Sequence, residues 1–448
     1  MHQKKAFGGK ELYTIVLLCL INFFLFADQN LMAPNLTQIA RDFGMSDLER
    51  DTLLGGQIAL GFWLLGGIVT LFIGYITDKL SRKKLFLAVV LIGEIPCFIT
   101  AFAQNYPQLF VLRALTGIGL GGVIPLTYSL LGDLFSANNR AKAVALISVA
   151  SGLGLGIGQM IAGFTTDMCL GTLCGWRIPF IVVAAPGFLM ALLFWFTTKE
   201  TPRGNTEESL KELIESGKAY TAKINWSEYK LLFKNKTNIL IILQSLPGIV
   251  PWSVLLVYLN DFLAQEKGYT VQAATTLVML LGVGILSGNI VGGFIGDIIY
   301  RKSKKWLPIA CGMMVLVGVI LTLMIVLYPS QANVQNPEYI PLIVLSVLTG
   351  IIIAPAGTML WAMLINVNLP EVRGSASSLF NMVDTLGKGF GPFFVSQIIV
   401  ALGRQQAFVI SILFWVPSAL IFFLLAFTLP KDVEALETVL KERAKNLT

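Results

Sequence analysis

Asp28, Arg113, Asp384 and Lys388 stand inside otherwise apolar stretches of this 448-residue chain. A charge in the hydrocarbon of a membrane is costly unless it faces water or a partner, so residues of this kind mark an ion or substrate path by default. Asp28 and Arg113 each lie some five or six residues from one end of their stretch, which at about 1.5 Å per residue puts both roughly 7–9 Å below the same boundary. They can pair directly, or Arg113 can hold an anionic cargo while Asp28 exchanges a proton; a permanent salt bridge between two helices is the structural alternative. Asp384 and Lys388 are four residues apart with the acid first, so they can meet on one helical face. Either they neutralise each other or Lys388 offers a point charge to a phosphate or carboxylate. A cargo that engages the base frees the acid to bind a proton, so Asp28 is the first choice for a coupling proton and Asp384 the second.

Asn22, Asn30, Gln57, Tyr128, Gln159, Gln244 and Asn381 are the uncharged groups that can complete a polar substrate cavity. Each taken singly is as ready to bond a neighbouring helix, because an unsatisfied amide is costly in lipid wherever it sits. Asn22, Asp28 and Asn30 together give the first stretch a broad polar face. Trp63, Trp361 and Phe380 can wall a cavity, although helix packing is the better expectation for any one of them. His2 is the only histidine, which removes His-based triads and multi-histidine zinc sites, and no glycine pattern follows a soluble strand. The chain is therefore expected to be no enzyme and to need no metal or cofactor, a proton being the expected coupling ion. Cys169 and Cys174 are close enough in sequence to bridge if their loop faces an oxidising space.

The elements that must hold these residues are membrane spans. Hydrophobic residues make up 55% of the chain and charged ones 13%, against about 25% charge in a soluble domain. Apolar runs fall at 11–34, 51–77, 85–103, 108–134, 141–165, 178–197, 238–262, 271–299, 306–328, 338–365, 374–402 and 405–429, each long enough to cross a bilayer. The expectation is an all-α integral membrane protein of twelve transmembrane helices: a six-helix bundle at 1–197, a linker at 198–237 with a short amphipathic helix from Asn205 to Gly217, and a second bundle with a tail at 238–448. With both ends in the cytoplasm, 26 of the 33 lysines and arginines lie inside and five outside. The net charge of +7 is thus a topology signal that favours anionic lipid, with no call for nucleic acid.

The halves echo each other. Gly74-Tyr75-Ile76-Thr77-Asp78-Lys79-Leu80-Ser81-Arg82-Lys83 and Gly293-Phe294-Ile295-Gly296-Asp297-Ile298-Ile299-Tyr300-Arg301-Lys302 repeat Gly, Asp, Arg and Lys at the same offsets, as an internally duplicated transporter would. The first copy resembles the signature loop of the major facilitator superfamily, with Ser81 in place of its second glycine. Arg113 to Gly121 resembles the family's fourth span, and Asp133 and Arg140 its end. Asp28, the Arg113 to Gly119 stretch and Leu379-Phe380 through Asp384 resemble spinster-type lipid transporters. The resemblance implies the major facilitator fold, two pseudo-symmetric bundles that rock about a site, with Asp78, Arg82, Asp133, Arg140, Asp297 and Arg301 as gate residues. Spinster-type proteins place a glutamate seven residues after the span-four arginine; here that position is Leu120.

The expected function is secondary active transport of a lysophospholipid or similar amphipathic organic anion or zwitterion by alternating access, coupled to protons. A small water-soluble organic anion is the first rival and an amphipathic drug the second. The glycines at 152, 154, 156, 158 and 163 and at 282, 284, 288, 292 and 296 are read as thin, sliding helix faces. A monomer in a bacterial inner membrane, surrounded by lipid, is the expected setting.

Overall fold

In the computed structural model the described residues are 9–135, 137–200, 233, 235–332, 338–369 and 372–445. Twelve long helices carry them. The first six are α1 (Gly9–Ala27), α2 (Ile58–Lys79), α3 (Arg82–Thr100), α4 (Tyr106–Leu134), α5 (Ala137–Phe164) and α6 (Ile178–Thr197). The next six are α7 (Lys236–Gln265), α8 (Val271–Lys302), α9 (Trp306–Val326), α10 (Ile340–Asn366), α11 (Arg373–Leu402) and α12 (Trp415–Lys445), the last preceded by a shorter helix at Arg404–Leu413. Short polar side chains start several of them. Ser81, Asn105, Asn235 and Thr270 each accept the backbone N–H three residues on, satisfying a donor that a helix leaves open at its N-terminus.

The chain divides into two compact units, Met1–Lys223 and Ile224–Thr448. In the first, α1 packs on α5 and α6, α2 and α3 on α4, and α3 on α6; in the second, α7 packs on α11 and α12, α8 and α9 on α10, and α9 on α12. The pairings are the same, helix for helix, so the duplication seen in two loops extends to the packing of both units. The core of the first unit is aliphatic and aromatic, with Ile15, Leu18, Ile21, Phe86, Val90, Val123, Leu126 and Phe194 among its buried members.

Several boundaries differ from the expected runs. The run at 11–34 is split, because α1 ends at Ala27 and tightens into single 3-10 turns at Asp28–Asn30 and Ala33–Asn35 before a short helix at Leu36–Asp42. The run at 51–77 begins with a wide π-type stretch, Arg50–Gln57, around the buried Arg50, which donates to Asp47 and Asp51. The run at 405–429 is interrupted at Phe414, and α12 continues through Pro430 to Lys445 where a tail was expected. Eleven stretches of described helix are long and apolar enough to cross a membrane. The twelfth, α3, carries Lys83 and Lys84 in its first turn and Glu94 in its middle. The expected helix from Asn205 to Gly217 lies outside the described residues.

Candidate functional site

Two groups of polar residues stand out, one in each unit. The first is built where α1 stops. A helix C-terminus leaves carbonyls without donors and carries a partial negative charge, and here it is buried. Arg113 of α4 supplies what is missing: its Nη2 donates to the Asp28 backbone carbonyl at 2.7 Å. Nη1 donates to the Cys97 sulfur of α3 at 3.7 Å. The guanidinium lies 5.1 Å from the ring centre of Phe62 and 5.5 Å from that of Phe180, and the residue is 2% exposed. Arg113 thus grips the backbone carbonyl of Asp28, whereas the sequence led to an expectation of direct charge pairing or of a cargo between them.

That leaves the Asp28 carboxyl without a hydrogen-bond donor at either oxygen among the described residues, and the same is true of Glu94 on α3. Both residues are fully buried. The two carboxyl groups are within hydrogen-bonding reach of each other, and the Cys97 thiol faces Asp28. Glycines make the gathering possible. A Cβ at Gly119 of α4 would lie 2.4 Å from the Gly93 Cα of α3, and one at Gly158 of α5 would lie 2.3 Å from the Ala27 carbonyl oxygen. A Cβ at Gly187 of α6 would lie 2.1 Å from Glu94 Oε1. Glu94 is not among the residues expected from sequence, although a single glutamate in the apolar run at 85–103 is the signal that marks it.

The remaining expected residues of this unit are scattered. Asn22 donates to the Leu18 carbonyl at 2.8 Å and to Thr127 of α4 at 3.2 Å, a bond between helices. Asn30 and Gln159 are buried, each with an amide nitrogen that has no partner among the described residues. Gln57 accepts from Tyr106 at 2.8 Å on an exposed face, and Tyr128 is exposed. Gly154 and Gly158 abut the backbone of α1, whereas Gly156 faces open space, so only part of that glycine run serves close contact.

The second group lines a cavity of about 220 Å³ in the other unit, formed by α7, α9, α10, α11 and α12. Gln244, Asn381 and Asp384 all reach it, together with Trp252, Trp361, Phe380 and Trp415. Trp361 and Phe380 meet edge to face at 4.8 Å and Trp252 and Trp415 at 5.5 Å, so Trp361 and Phe380, for which packing was the better expectation, take the other expected place as cavity wall. The Gln244 Nε2 donates to Ser418 at 2.7 Å, while its Oε1 has no partner. Lys388 meets Asp384 at 2.8 Å, with the two side chains 28% and 27% exposed. The α7 wall of the cavity is irregular by composition: Pro247 and Pro251 remove two backbone donors from it, and the Gly248 carbonyl accepts from the Trp415 indole of α12 at 2.9 Å.

Of the expected gate residues, Arg82 donates to the Ser129 carbonyl at 3.4 Å, and Asp297 and Arg301 are exposed at the end of α8. The side chains of Asp78, Asp133 and Arg140 lie outside those described. Beside Arg301, Lys304 meets Glu437 of α12 at 2.6 Å, and this bond raises the pKa of the ammonium. Of the α8 glycines, Gly284, Gly288 and Gly292 abut the backbone of α10, whereas Gly282 faces open space and Gly296 meets only side chains. At the opposite end of the units Arg404 and Asp261 form a buried ion pair at 2.8 Å, and Cys169 and Cys174 are disulfide-bonded across a two-residue hairpin strand pair.

The arrangement of six-helix units agrees with comparisons to known proteins. The hexuronate transporter of Bacillus subtilis is 21% identical over 87% of this chain and 89% of its own length. The gallate transporter of Pseudomonas putida is 27% identical over 66% of this chain and 68% of its own. A bacterial homologue of the human lysosomal transporter Spinster, solved in an inward-facing, unoccupied conformation, superposes with a TM-score of 0.79 at 20% identity, covering 95% of this chain and 99% of that one. The family model of the Major Facilitator Superfamily matches residues 18–392, and the chain, an integral membrane protein with two six-helix units of one packing plan, belongs to that family of transporters.

Proposed function

We propose that this protein is a secondary transporter that carries a small organic anion by alternating access in symport with a proton. The observation that supports the substrate class is the cavity of the second unit. Its volume of about 220 Å³ lies below the roughly 300–1,000 Å³ of sites for drug-sized ligands, and a lysophospholipid with its acyl chain exceeds it. Its walls suit a compact acid with a flat or ring-shaped body: indole and phenyl faces to stack on and amides of Gln244 and Asn381 to bond hydroxyls, with Lys388, held beside the cavity by the lining Asp384, as the nearby counter-charge. The relatives named for hexuronate and gallate transport carry cargo of that kind. An anion that draws Lys388 away leaves Asp384 without its partner, and a proton taken up there restores neutrality; Asp28 is the first proton carrier and Asp384 the second.

The lysophospholipid, placed first on the sequence resemblance alone, becomes the second reading. It keeps the support of the spinster-like residues Asp28, Arg113 to Gly119 and Leu379 to Asp384. Proteoliposome uptake of glucuronate, gallate, a lysophospholipid and its deacylated headgroup separates the two. Saturable, pH-gradient-driven uptake of glucuronate or gallate is expected; movement of the lysolipid with none of the small anions would overturn the assignment. We further place the protein as a monomer in a bacterial cytoplasmic membrane with both ends inside. Cysteines introduced in 198–237 should then be labelled only from the cytoplasm and those in 331–336 only from outside.

A further inference from the structure

Glu94 has no part in the transport reading above, although its surroundings are the least ordinary in the molecule. It sits in the middle of α3, 0% exposed, with no hydrogen-bond donor at either oxygen. Gly187 seals it on the α6 side, since a single added methyl would overlap Oε1. On the side of α1 it meets the carboxyl of Asp28, itself 0% exposed and equally without a donor. The other titratable or charged groups facing the pair are Cys97 on α3 and Arg113 on α4; α6 contributes the uncharged Gly187 and α5 the glycine contact at Ala27.

Counting charge decides what this cluster holds. With both carboxyl groups ionised, the site carries two negative charges against one guanidinium, a net charge of −1 in an apolar enclosure where an uncompensated ion is expensive. With one proton the cluster is neutral, and that proton is also the donor that both carboxyl groups lack, forming an O–H···O bond between them. Two like charges in contact cannot both persist, which is why paired carboxyl groups elsewhere share a proton. Because Arg113 holds the Asp28 carbonyl, the proton can leave without breaking the guanidinium's own bond.

We propose that Glu94 is the second half of the proton carrier: Asp28 and Glu94 hold a single proton between them opposite Arg113. Loss of that proton to water leaves two carboxylates facing one guanidinium, and uptake of a proton restores the neutral bonded pair. The inference rests on the proton-coupled reading of Asp28.

The test has two arms. Infrared difference spectra of the wild type in liposomes, titrated through pH, should show one protonated-carboxyl C=O band that shifts in heavy water. Glu94→Gln and Asp28→Asn should each remove the band entirely, since in either variant a side-chain amide replaces the shared proton as donor, and Glu94→Asp should restore it at an altered position. In the second arm, pH-gradient-driven accumulation of glucuronate or gallate should fall about tenfold or more in Glu94→Gln, as in Asp28→Asn. A wild type without the band, or a Glu94→Gln protein with the wild-type band and titration, would overturn the shared proton. If the wild type accumulates neither anion, the transport reading fails while the infrared arm still decides this one. Should Glu94→Gln fail to give a monodisperse protein, the wild-type band and the Glu94→Asp shift carry the decision.

Discussion

Each unit buries a carboxylate near a cation, and the two solve the problem of charge in lipid differently. Asp384 and Lys388 lie four residues apart on α11, meet directly at 2.8 Å and keep about a quarter of each side chain exposed beside a cavity. Asp28, Glu94 and Arg113 come from three different segments, are wholly enclosed, and put the cation on a backbone carbonyl, leaving two carboxyl groups facing each other. A direct, partly exposed ion pair beside a cavity can open towards a cargo. An enclosed pair of acids is neutral only with a proton. Under the proposed function the contrast divides the work: cargo contact falls to the second unit, and the first choice of proton carrier to the first.

The sharpest way to break this division is to remove the acids. Asp28→Asn should abolish proton-linked accumulation, a loss of about tenfold or more, whereas Asp384→Asn should do less damage; pH-jump uptake in liposomes measures both. Wild-type coupling in both variants would end the carboxylate mechanism. For Lys388→Gln the expected change is a roughly tenfold weaker binding of the small anion, worth about 1.4 kcal/mol, with uncharged competitors unaffected; calorimetry or tryptophan quenching at Trp252 and Trp361 reads it. If cargo instead contacts the first unit, Arg113→Gln will show the binding loss and Lys388→Gln will not.

Smaller effects sharpen the same comparison. Gly187→Ala should destabilise the protein by about 1–3 kcal/mol through overpacking against Glu94. Adding Glu94→Ala should return part of that loss, and a coupling of more than about 0.5 kcal/mol in thermal unfolding would establish the contact. Removing the exposed Tyr106 hydroxyl that bonds Gln57 should change stability and transport by less than about 0.5 kcal/mol, since it belongs to neither cluster.

Composition and span lengths were enough to read a twelve-span membrane protein with two six-helix units from sequence, because lipid imposes its demands on each segment separately, and the family was legible only through the resemblance of the loop at 74–83 and the stretch from Arg113. The Asp384 and Lys388 pair was legible for the same reason: a spacing of four residues is local, and a helix brings it together whatever the rest of the chain does. Glu94 was not legible as a partner of Asp28, since 66 residues separate them and only the packing of α3 against α4 and α6, through Gly93, Gly119 and Gly187, brings the two carboxyl groups into reach. Nor did residue type reveal that Arg113 would bind a carbonyl, because that depends on α1 ending at Ala27, inside a run that is apolar well beyond it. Local residue pattern dictates which groups must leave water, and packing between distant helices sets which of them meet, because the free energy of a buried charge depends on its neighbours in space.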